Sequence, residues 1–84
     1  MSLLAVKIVT PEQILLETEC DMVVMPGTEG EFGIMKNHVA ILATLAEGKV
    51  KIYQQDNISS EIEISGGVCQ FEDNKLTILA EKCL

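Results

Sequence analysis

Eighty-four residues suffice for one small domain and are too few for two independent cores, so residues 1–84 are read as a single unit. Thirteen acids stand against six lysines, with no arginine and a formal charge of −7. That balance argues against nucleic acid or an anionic membrane surface as ligand, since both need clustered basic side chains. Hydrophobic residues make up 48% of the chain. The longest near-apolar stretch, Val39 to Ala46, still falls far short of the ~18 residues that would span a bilayer. The residues after Met1 hold neither a basic region nor a cleavage site, so a soluble intracellular protein is expected.

Period-2 alternation recurs from end to end, and no linker, repeat or low-complexity segment interrupts it. Leu4, Val6 and Ile8 alternate in a first strand that stops at Thr10-Pro11. Ile14 to Thr18 predicts a second strand and Cys20 to Met25 a third. Pro26-Gly27 opens a glycine-punctuated turn region through Gly33. Val39 to Leu45 is short and bounded by turn signals, which predicts a buried strand rather than a helix. Val50 and Ile52 alternate with lysines, and Ile62 and Ile64 alternate with Glu61 and Glu63. With Gln55 to Ser59 as the loop, Ile52 faces Ile62 and Lys51 faces Glu63, so the apolar and charged faces agree on one register. After Gly66-Gly67 a second hairpin turns at Asp73-Asn74, setting Phe71 opposite Leu76, Cys69 opposite Ile78 and Glu72 opposite Lys75. Eight to ten short strands with antiparallel pairing imply an all-β sandwich or barrel, and no segment reads as a long helix.

Few residues offer chemistry. Gly27, Gly30 and Gly33 match neither the P-loop nor the dinucleotide fingerprint, and Glu29 and Glu31 would repel a phosphate. Glycines supplying φ > 0 in consecutive turns are the expected reading. His38 is the one histidine, and Cys20, Cys69 and Cys83 have neither metal-ligand spacing nor an even count for a disulfide framework. No metal, cofactor or catalytic residue is expected. Glu29 and Glu31 stand out as carboxylates placed on a loop, where they could meet basic or polar loops of a partner. Met22, Met25 and Met35 flank the loop and read chiefly as core.

The run Pro26-Gly27-Thr28-Glu29-Gly30-Glu31-Phe32-Gly33-Ile34, followed by His38, resembles the signature of the epsilon subunits of rotary ATP synthases. Ser65-Gly66-Gly67-Val68 and the closing Leu76-Thr77-Ile78-Leu79-Ala80-Glu81 resemble that family's Ser-Gly-Gly strand and last strand. Together with Val6 to Gln13, the resemblance spans essentially the whole chain. It implies a flattened sandwich of about ten strands that packs one face on the gamma subunit and rests one end on the c-subunit ring. It also implies a non-catalytic, peripheral place on the cytoplasmic side of the bacterial inner membrane, or the organellar equivalent. On this resemblance Glu29, Gly30, Glu31, Phe32 and Gly33 are the expected ring contacts, and His38, Ser65 and Gly66 the expected gamma contacts. Asn37-His38-Val39-Ala40 departs from the family's usual Gly-His-x-Pro. The sequence lacks the two C-terminal helices of many members and is read as a naturally short form, to which ATP sensing and helical inhibition do not transfer. A lipoyl or biotinyl carrier is the rival all-β reading, but Cys20 stands where the carrier lysine would be. A generic adaptor sandwich is the other alternative.

Overall fold

The structure, a computed structural model, describes residues 3–84 and contains nine strands and no helix among them. They are β1 (Leu4–Val9), β2 (Ile14–Cys20), β3 (Met22–Gly27), β4 (Gly30–Met35), β5 (Ile41–Leu45), β6 (Gly48–Gln54), β7 (Asn57–Ile64), β8 (Gly67–Glu72) and β9 (Lys75–Ala80). All belong to one hydrogen-bonded sheet of order β2-β1-β9-β8-β5-β3-β6-β7, with β4 paired to the free side of β3.

Chain connectivity forces that sheet to fold over. Only Asp21 separates β2 from β3, yet four strands lie between them in the sheet order. Five inter-strand steps of roughly 4.8 Å come to about 24 Å along a flat sheet. Three consecutive residues reach only about 7 Å. The sheet therefore curls into two facing layers, β2-β1-β9-β8-β5 and β7-β6-β3-β4. Three bonds fasten the seam: Asp21 N–H to the Tyr53 carbonyl, Gln55 N–H to Asp21 Oδ2 at 2.7 Å, and Gln54 Nε2 to the Glu19 carbonyl at 2.6 Å.

The corner between the layers lies in a single long hairpin. Leu45 pairs with Gly67 and Gly48 with Ile64, so β5–β8 and β6–β7 share one register across the break. At the break the backbone changes partners: Ala46 N–H bonds to Pro26, Ser65 N–H to Lys82, and Glu81 N–H to Gly66. Gly67, at φ +152°, is the residue on which the turn depends, because a Cβ there would collide with the Leu79 carbonyl.

The core fills the space between the layers. Leu4, Val6, Ile8, Cys69, Phe71, Leu76 and Ile78 come from one layer, and Val23, Met25, Ile34, Val50, Ile52 and Ile64 from the other. Each set occupies alternate positions of its strands, as the period-2 pattern requires.

Several expectations need correction. The pairing is antiparallel except for β1 and β9, which run parallel with Val6 beside Leu76 and Ile8 beside Ile78. The β8–β9 register is as expected, with Phe71 opposite Leu76 and Glu72 opposite Lys75. The β6–β7 register is displaced by two residues: Val50 faces Ile62 and Lys51 faces Glu61. Gln55 and Asp56 both take positive φ, 55° and 68°, and close a two-residue turn in place of the five-residue loop. A bulge beside Ile52 absorbs the odd residue. An even displacement preserves which side chains face inward, so the apolar face survives. Val39 to Leu45 is not a buried strand. Its strand begins at Ile41, and Val39 and Leu42 are each 75% exposed.

Candidate functional site

The glycine-rich segment is a tight hairpin rather than a loop. Gly27 pairs with Gly30, leaving Thr28 and Glu29 as the turn, and β4 continues with Glu31 opposite Pro26 and Phe32 opposite Met25. Glu31, expected on a loop, therefore sits on a strand. Only Gly30 of the three expected turn glycines has positive φ, +126°. Gly27 is needed for another reason: a Cβ there would lie 2.6 Å from the Gly30 carbonyl oxygen and 2.7 Å from the Phe32 ring. Gly33 has ordinary room around it, 3.5 Å to the Met22 sulfur.

The hairpin tip is tied to β5 by Thr28 N–H to the Thr44 carbonyl and by the two threonine hydroxyls, 2.8 Å apart. A cleft of about 500 Å³ lies between tip and β5, and both Glu29 and Glu31, each exposed, line it. The half-buried Phe32 anchors the hairpin on the core. The arrangement presents one carboxylate on a short turn, Glu29, and one at the start of β4, Glu31.

His38 lies in the β4–β5 connection. Its Nδ1 is 2.7 Å from the Val39 carbonyl, and its ring meets Phe71 edge-on with centroids 6.1 Å apart. The connection is clasped to the β8–β9 turn: Asn37 N–H donates to Asn74 Oδ1 at 2.6 Å, and Asn74 Nδ2 returns to Asn37 Oδ1. Both asparagines take positive φ, 65° and 60°, a conformation that glycine or asparagine tolerates best. Ser65 and Gly66, by contrast, precede β8. The structure thus sets His38 and Ser65–Gly66 at opposite ends of β8, about 17 Å apart at 3.4 Å per residue.

Sequence reasoning missed the residues between those ends. The register lines up Thr44, Val68, Leu79, Val9 and Ile14 in one row across β5, β8, β9, β1 and β2, on the face turned away from the core. Leu79 is 47% exposed and Ile14 56%. Leu42 extends the same face. The signal was present, because Val68 and Leu79 fall in the polar phase of otherwise alternating strands.

Two of the three cysteines, Cys20 and Cys69, are buried, and Cys83 is exposed. Burial pushes the Cys20 thiol up to about 11, against a smaller lowering by the Met22 backbone hydrogen bond, with Asp21 adding a further rise. Burial likewise raises Cys69. Cys20 lies inside the core, so it cannot be the exposed attachment point of a carrier hairpin.

Residues 3–84 match the family described as ATP synthase, Delta/Epsilon chain, beta-sandwich domain. The chain belongs to that family. An ATP synthase epsilon chain of Maridesulfovibrio salexigens is 45% identical over 80 residues, covering 95% of this chain and 56% of that protein. One of Ligilactobacillus salivarius is 40% identical over 79 residues, covering 94% and 57%. The chain thus spans somewhat more than half the length of these epsilon chains. The fold is that of a chain in the Euglena gracilis mitochondrial ATP synthase OSCP/F1/c-ring structure, with a TM-score of 0.89, 17% identity and coverage of 100% of this chain and 54% of the other. A chain in the Tetrahymena thermophila mitochondrial ATP synthase central stalk/c-ring structure gives 0.79 at 22% identity, covering 95% and 64%. No helix among the described residues is long and apolar enough to cross a membrane.

Proposed function

We propose that this epsilon-family domain is a non-catalytic element of the central stalk of a rotary ATP synthase, gripping the gamma subunit with one sheet face and touching the c-subunit ring with the β3–β4 tip. The observation that carries the gamma contact is the apolar row Val68–Leu79–Val9–Ile14, solvent-facing on an acidic domain and continued by Leu42. Contiguous apolar surface of this kind marks a protein interface. His38 and Ser65–Gly66 then belong to one interface as its two ends, both bordering β8 of the same layer. Glu29 and Glu31 serve the ring contact: their carboxylates extend from a hairpin braced against β5, so force at the tip passes into the sheet.

The mechanism is mechanical. Torque from a proton-driven ring reaches gamma only if the connecting element does not shear, and a continuous ladder of backbone hydrogen bonds across one curled sheet resists shear. The domain sits at the membrane periphery on the cytoplasmic side and binds no cofactor.

Mixing the chain with the gamma subunit of the same organism, followed by size-exclusion chromatography with light scattering, should give a one-to-one complex. No complex between folded partners at micromolar concentration would overturn the gamma assignment. For the ring contact, an E29Q/E31Q double variant should lower coupling between ATP hydrolysis and proton pumping, whereas wild-type coupling would remove the carboxylates from that role.

A further inference from the structure

At the Ser65 end of the proposed gamma face lies a groove of about 430 Å³. Its walls are apolar: Pro11, Leu45, Val68 and Leu79. Two polar residues, Ser65 and Glu81, belong to its lining. Ser65 Oγ is buried without a hydrogen-bond partner, the one such side-chain atom among the described residues. Glu81 is the only charged residue in the lining. Its carboxylate lies over Gly66, with Oε1 3.3 Å from where a Cβ would begin, and the Glu81 backbone is held in place by its N–H bonding to the Gly66 carbonyl at 2.9 Å.

We infer that this groove receives one cationic side chain, a lysine or arginine of the gamma subunit, with its aliphatic stem against Val68 and Leu79 and its charged head shared by the Glu81 carboxylate and Ser65 Oγ. The inference rests on the stalk reading and adds to it the chemistry of one contact. The shape fits because long basic side chains lay their methylenes on apolar surface and keep the head polar. An orphaned hydroxyl is a cost in the free domain that a donor from the partner removes. Charge complementarity selects a cation: the domain carries −7 in total, and the groove itself contributes an acid with no lysine in its lining. Apolar walls lower the local polarity, which strengthens a charge-assisted bond formed there.

The test is isothermal titration of the full chain with the gamma subunit at two salt concentrations, for wild type, E81Q, S65A and the control E63Q, whose residue lies on β7 in the other layer. E81Q should weaken binding about tenfold and flatten the salt dependence, the order expected on losing one charge-assisted contact. S65A should weaken binding a few-fold, on the order of one neutral hydrogen bond. The same substitution should leave the free chain as stable or more so, since it deletes an unsatisfied atom. Opposite signs for stability and binding are what a merely structural serine would not give. E63Q should bind as wild type. If wild type binds and E81Q binds equally well with unchanged salt dependence, the groove takes no cation and the inference fails. If wild type does not bind at all, it is the gamma assignment that fails.

Discussion

At the scale of single residues, glycines that look alike in sequence do different jobs. Gly67 combines φ +152° with a backbone carbonyl where a Cβ would go, whereas Gly33 has neither restriction. Gly67→Ala should therefore lower stability by at least about 2 kcal/mol, the scale of a strained backbone plus a steric conflict. Gly33→Ala should stay within about 0.5 kcal/mol of wild type or gain slightly through a stiffer unfolded chain. Urea denaturation of both variants measures the contrast. The thiols make a second prediction. Cys83 is exposed while Cys20 and Cys69 are buried, so one thiol should react with a sulfhydryl reagent in the native protein and all three in denaturant. The raised Cys20 value also has a sign. Below 9.0 the thiol is protonated in both folded and unfolded chains; between 9.0 and about 11 only the unfolded thiol ionises. Stability present below 9.0 is therefore lost as the pH rises. A Cys20→Ala variant should show a shallower fall in denaturation midpoint than wild type between about pH 8 and 10.5, on the same linkage.

At the scale of elements, turn chemistry decides what is legible. Asp73-Asn74 announces its two-residue turn, and the β8–β9 register follows residue by residue. Gln55-Asp56 makes the same kind of turn without announcing it, because its support is the Asp21 carboxylate reaching from the β2–β3 connection. A contact between residues 34 apart in sequence leaves no local trace. The glycine segment misleads in the opposite direction: Gly27 and Gly33 read as turn residues but lie in strands, one for close packing and one without steric need. The outward row on β8, β9, β1 and β2 was legible only residue by residue, since identifying it as a row requires the registers. The parallel β1–β9 pair joins the two ends of the chain and could not come from neighbouring pattern at all. The Asn37–Asn74 clasp belongs to this scale too. Asn74→Ala removes the acceptor of the Asn37 amide, so hydrogen exchange at Asn37 should speed up by about tenfold or more, the loss of roughly 1.4 kcal/mol of local protection. The Ala5 amide, which bonds to the Asn74 backbone carbonyl, should exchange as before. The ion pair between Lys49 and Glu61, 3.7 Å and exposed on both sides, is too solvated to matter comparably.

For the whole molecule, one curled sheet supplies rigidity and display together. The inner face spends its apolar residues on the core, and the outer face of the five-stranded layer still keeps Leu42, Val68, Leu79 and Ile14 toward solvent. Leu79→Asp should hardly alter the melting temperature, because that side chain is half exposed. It should abolish the proposed gamma complex at micromolar concentration, and a preserved complex would take the row out of that proposed interface. A Leu76→Asp control, buried three residues earlier on the same strand, should instead prevent folding.

The side-by-side placement of β1 and β9 has a consequence for how the chain is made. Translation delivers β1 first and its parallel neighbour last, at roughly 5–20 residues per second. The opening hairpin of β1 and β2 must therefore wait several seconds with one edge bare, while the long β5–β8 hairpin can close as soon as it leaves the ribosome. Chains truncated before Lys75 should resist a protease in the β5–β8 hairpin and yield at Leu4–Val9, whereas chains that include β9 should resist at both.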